Sequence, residues 1–111
     1  MSEISWSDFE KIDMRVGTII EVQDFPEARN PAYKLWIDFG QLGQRKTSAQ
    51  ITNLYQKEEL IGKQIIAVVN FPPKQIGPFI SECLVMGVLG DNKNVILLQP
   101  QQKVNNGWKI G

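Results

Sequence analysis

The chain has 111 residues, 42% hydrophobic and 22% charged, which is the length of one domain spanning residues 1–111 and the composition of a packed globular protein rather than a disordered one. It holds no histidine and a single cysteine, Cys83; the usual general base, the commonest metal ligand and any internal disulfide are therefore missing, and neither an enzyme nor a metal or other cofactor is expected. Twelve basic residues balance twelve acidic ones, which argues against a polyanion binder held by bulk positive charge.

The N-terminal residues Met1 to Ser5 lack the basic and apolar regions of a secretory leader, and no segment reaches the roughly 20 apolar residues of a membrane span. Together with the lone thiol, this predicts a cytoplasmic protein without membrane insertion. The charge is unevenly spread: residues 1–27 carry seven acids against two bases, whereas residues 28–57 carry Arg29, Lys34, Arg45, Lys46 and Lys57 against Asp38 alone. A locally basic face on a neutral protein is one consequence; ordinary solvated charges are the other reading of the same composition.

Ser5 with Asp8, or Ser7 with Glu10, offers an N-cap hydroxyl followed three residues later by an acid, the start of a short helix, with Ile4 and Phe9 as a hydrophobic staple in the Ser5 frame. From Met14 to Val22 the apolar period changes to two and predicts a long strand, in which Gly17 marks a bulge or bend. Pro26 and Pro31 bound a loop. The next strand sets Tyr33, Leu35, Ile37 and Phe39 on one face and Lys34, Trp36 and Asp38 on the other. A polar strand is expected over 44–50, a helix over 53–60 stopped by Gly62, a doubly buried strand over 65–69 and another over 83–89. A turn over 91–94 leads to a strand over 95–98, and Asn106-Gly107 predicts a last small hairpin. Three strands, a helix and two or more further strands match the order of an OB-fold, a five-stranded Greek-key barrel in the all-β class.

The segment from Asn70 to Glu82 contains three prolines and a glycine and is expected to be a rigid, extended binding loop displaying Phe71, Lys74 and Phe79. The alternative is a connector whose two phenylalanines cap the barrel end. Trp36, on the polar face of its strand, is either exposed for stacking or peptide contact or, the preferred reading, covered by a second subunit, and Trp6 and Trp108 are candidates for the same dimer interface.

The stretches DMRVGTIIEV (13–22), FPEARNPAYKLWIDFG (25–40), SAQIT (48–52), IAVVNFPPKQIGPFISECLVMG (66–87) and VILLQP (95–100) resemble the tRNA-binding-domain family, and within it the stand-alone CsaA-type secretion chaperones. The resemblance implies an OB-fold homodimer whose partners are tRNA or other structured RNA, and unfolded or exported polypeptides with the export machinery. It places an RNA-binding face on Arg45, Lys46, Ser48, Asn70, Lys74 and Ser81, with Glu82 orienting that face. Lys and Arg suit phosphates, and Ser and Asn suit 2′-hydroxyls or base edges; Phe71 or Phe79 would stack a base if exposed. Pro78, Phe79 and Ile80 stand where relatives often carry a glycine and a basic residue. Their apolar surface suits a polypeptide, for which Phe71, Pro72, Ile76, Phe79 and Ile80 form the expected trough. Ser48-Ala49, in place of the family's Ser-Gly, follows the CsaA-type pattern.

Overall fold

A computed structural model describes residues 1–111. Helix α1 (Trp6–Glu10) forms in the Ser5 frame: the Ser5 hydroxyl accepts from the Asp8 amide at 3.1 Å and the Asp8 carboxylate accepts from the Ser5 amide at 3.3 Å. This reciprocal cap satisfies two donors that a free helix end would leave unpaired. Strands β1 (Met14–Asp24), β2 (Tyr33–Asp38) and β3 (Gln44–Ala49) follow as an antiparallel meander. Helix α2 (Lys57–Leu60) leads to β4 (Gln64–Val68), which returns to pair with the first half of β1. The main sheet is completed by β7 (Leu84–Val85) in the order β3-β2-β1-β4-β7. This is the five-stranded, nearly closed barrel of the OB-fold, as the element order predicts.

The two-residue period of β2 builds the core. Tyr33, Leu35, Ile37 and Phe39 point inward and are buried, while Lys34, Trp36 and Asp38 face outward and are only partly covered. Ile19, Ile51, Leu60, Ile65, Ala67, Val69 and Cys83 complete the same cluster. The expected bulge lies elsewhere: Gly17 pairs in register with Ile65, and the register slips between Ile19 and Glu21, leaving Ile20 unpaired. Gly17 instead serves close packing, because a Cβ there would stand 2.5 Å from Ile37 Cγ2 and 2.7 Å from Phe39 Cε1.

Four other expectations change. The helix over 53–60 forms only in its last four residues, with Gly62 in the left-handed region at φ 91° ending the turn. The strand over 83–89 divides at Met86 into β7 and β8 (Gly87–Leu89); the Met86 amide donates to Ile66, while its carbonyl accepts from Leu98, so the chain leaves one sheet for another there. Strand β8 then pairs with β9 (Val95–Leu97). The proline-rich segment is not extended: β5 (Lys74–Ile76) and β6 (Phe79–Ser81) fold back on each other around Gly77-Pro78. Finally, Asn106-Gly107 turns as predicted, but the residues after it pair with β1: Val16 donates to the Trp108 carbonyl at 3.0 Å and Ile110 donates to that of Met14 at 2.9 Å.

Candidate nucleic-acid interface

The barrel does not close by a continuous ladder, and the seam between β3 and β6–β7 is where the site residues meet. Glu82 bridges it twice, its amide donating to the Lys46 carbonyl at 2.8 Å and its carboxylate accepting from the Lys46 amide at 3.0 Å. The carboxylate thus takes the place of the carbonyl that a regular neighbouring strand would offer. Below it, the Thr47 hydroxyl donates to the Cys83 carbonyl at 2.7 Å and accepts from the Ser81 hydroxyl at 2.7 Å. Thr47 is the one buried polar side chain, and these bonds satisfy it.

Three of the six residues expected to contact RNA are committed to the fold. Arg45 donates to the Val69 carbonyl. The Asn70 amide donates to the Lys11 carbonyl at 2.6 Å and accepts from the Asp13 amide at 3.0 Å, clamping the entry to β1. Ser81 holds Thr47. The remaining three, Lys46, Ser48 and Lys74, make no side-chain hydrogen bond or ion pair within the chain; the three ion pairs are Lys11–Asp8, Arg15–Asp13 and Lys57–Asp24.

Lys34 joins this set. It faces outward opposite Ser48 on β3, as Trp36 does opposite Lys46. Its ammonium lies 4.9 Å from the Phe25 ring centre and 5.5 Å from that of Phe79, while the Lys46 ammonium lies 5.1 Å from Phe79 on the same platform. Aromatic faces attract such cations without neutralising them, so both lysines are held in place with their charge available. The alternation that places Lys34 on the polar face of β2 was the available signal for it.

Phe79 is only 6% exposed and packs with Phe25 and Ala32. This corrects its expected place as a stacking surface or trough wall: it is the floor under the lysines. Trp36 meets Phe79 edge-on at 6.1 Å, so part of its cover comes from its own chain. Trp6 and Trp108 remain 80% and 56% exposed.

Beside the seam lies a cavity of about 570 Å³ lined by Ser48, Gln50, Phe71, Lys74 and an apolar wall that includes Ile51, Val85 and Leu97. Of the expected trough, Phe71, Pro72 and Ile76 line it, whereas Phe79 and Ile80 do not. Phe71 is 56% exposed at its rim. Cys83 also borders the cavity, but burial pushes its thiol up to about 12, which leaves it without the thiolate that nucleophilic or metal-binding chemistry needs. The seam and its cavity thus present neutral hydroxyls, unpaired ammonium groups and an aromatic rim side by side.

This geometry coincides with a family signature. A family model described as "Putative tRNA binding domain" matches residues 14–109. The chain belongs to the tRNA-binding-domain family. Among solved structures of similar form is the crystal structure of chaperone CsaA from Bacillus anthracis str. Ames, 49% identical, with a TM-score of 0.95 over 99% of this chain and 100% of that one. The CsaA chaperone protein from Picrophilus torridus is 57% identical, with a TM-score of 0.92 over 98% of this chain and 100% of that one. Family membership extends to synthetase appendages: the methionine–tRNA ligase of Nanoarchaeum equitans is 39% identical over 109 residues, which are 96% of this chain and 13% of the ligase. The chain therefore spans a small part of that relative's length.

Proposed function

We infer that this tRNA-binding-family protein is a non-catalytic RNA-binding module of the CsaA type, acting in the cytoplasm as a homodimer and gripping tRNA or other structured RNA at the β3–β6 seam. The observation that carries the reading is the group of three unpaired cations, Lys34, Lys46 and Lys74, around that seam. Their ammonium groups suit phosphates, and the Ser48 hydroxyl suits a ribose. Two copies in a dimer would add weak contacts through effective concentration, which offsets the neutral net charge. Titration of tRNA at several salt concentrations tests this. Affinity should fall by roughly 0.7 to 0.9 log units per tenfold salt for each phosphate engaged. Lys46→Glu and Lys74→Glu should each weaken binding and flatten that slope; unchanged binding in both would refute the placement of the site.

A second reading, binding of unfolded or exported polypeptides together with the export machinery, is favoured by likeness to the CsaA chaperones and by one surface feature. Val88 on β8 and Ile96 on β9 are cross-strand partners, and both are about half exposed. Such a pair offers an apolar landing strip outside the basic seam. Suppression of aggregation that survives high salt in the wild type and fails in Val88→Asp would support it; equal activity in both would remove it.

A further inference from the structure

The cavity beside the seam has a lining that the basic face alone does not explain. Its volume, about 570 Å³, falls in the range of small-molecule pockets. Its walls carry one charged group, Lys74, and no carboxylate. Three polar groups border it with no partner in the chain: the Ser48 hydroxyl, the Gln50 amide and the Lys74 ammonium. Phe71 stands half exposed at the rim, held by the two prolines that follow it. An apolar interior, an aromatic face at the mouth, an amide that both donates and accepts, and a cation suited to a phosphate are the components of a nucleotide site.

We propose that this cavity takes one unpaired nucleotide of a bound RNA, its base stacked on Phe71 and hydrogen-bonded at its edge by Gln50, with the ribose near Ser48 and the flanking phosphate on Lys74. The proposal rests on the RNA-binding reading and deepens it, since it requires a single-stranded element of the RNA at the seam and not only its double-helical body. Charge favours a nucleotide as the occupant, since the one ionised group of the lining is a cation. Continuity supports the nucleotide. Lys74 pairs across the hairpin with Ser81 on β6, and β6 is flanked on its other side by Lys46, so a phosphate chain leaving the cavity meets a second cation.

The test uses the whole protein and a short single-stranded RNA carrying one 2-aminopurine, whose fluorescence is quenched on stacking, with a fully paired duplex of the same length as control and with tRNA titrated in parallel. The single strand should be bound with quenching and the duplex without it. Phe71→Ala should weaken single-strand binding by about tenfold or more and abolish the quench, and Gln50→Ala should weaken it while leaving the quench. Both residues are exposed, and circular dichroism checks that the variants fold. Binding of tRNA with no quench in the single strand, or quenching unchanged in Phe71→Ala, would overturn the nucleotide site and leave the RNA-binding reading standing. Failure to bind either RNA would overturn both. Displacement of the bound single strand by an apolar peptide in the wild type, with the peptide's affinity lowered in Phe71→Ala and the RNA's unchanged, would assign the cavity to polypeptide instead.

Discussion

Replacing Thr47 with valine keeps the branched side chain and removes one hydroxyl from the barrel seam. That hydroxyl is 1% exposed as part of its residue and makes two 2.7 Å hydrogen bonds, to the Cys83 carbonyl and from Ser81. Two neutral hydrogen bonds contribute about 1–3 kcal/mol together. Part of this is recovered, because Ser81 already lies 3.3 Å from the Cys83 carbonyl and can turn toward it, and because the added methyl is buried. The net loss is then about 1–2 kcal/mol, a fall in Tm of roughly 4–8 °C for a chain of this length. Urea unfolding followed by tryptophan fluorescence should show a lower midpoint with an unchanged slope, since the surface exposed on unfolding is the same. A midpoint equal to or above that of the wild type would refute the claim that these side-chain bonds, rather than a strand ladder, hold β3 to the segment entering β7.

Asn70→Ala separates folding from binding at a residue the sequence marks as an RNA contact. With the amide committed to Lys11 and Asp13, the variant should lose about 1 kcal/mol of stability while tRNA affinity, measured on folded protein, stays within about twofold. The Arg15 guanidinium, hydrogen-bonded to Asp13 at 2.6 Å, holds the Asp13 carboxyl below its ordinary 3.8 against an opposing effect of burial. A depressed carboxylate stabilises the fold above its unfolded pKa and loses that contribution as pH falls through the folded value. Wild type should therefore exceed Asp13→Asn in stability near neutral pH, and the gap should close below about pH 4; a gap that widens in acid would contradict the assignment.

The strand period and the cap chemistry are local, and they were legible. The alternation over 33–39 defines an inner and an outer face of β2, and Ser5 with Asp8 selects the frame of α1, because side-chain direction in a strand or a helix turn depends on near neighbours alone. The barrel order and the family resemblance follow from the same chain of residues, and with them the candidate contacts Lys46, Ser48 and Lys74.

Which polar side chains remain free was decided by tertiary contacts. Asn70 is claimed by residues 57 and 59 positions away, and the seam bonds of Thr47 span 34 and 36. The same holds for Phe79, whose burial comes from Phe25 and Ala32, and for the C-terminal segment, which bypasses its expected hairpin to pair with β1. Periodicity reports which way a side chain points, but not what stands opposite it once the sheet curls and its edges meet. The free ammonium groups and the vacant amide of Gln50 that make up the candidate site are what those long-range pairings leave over.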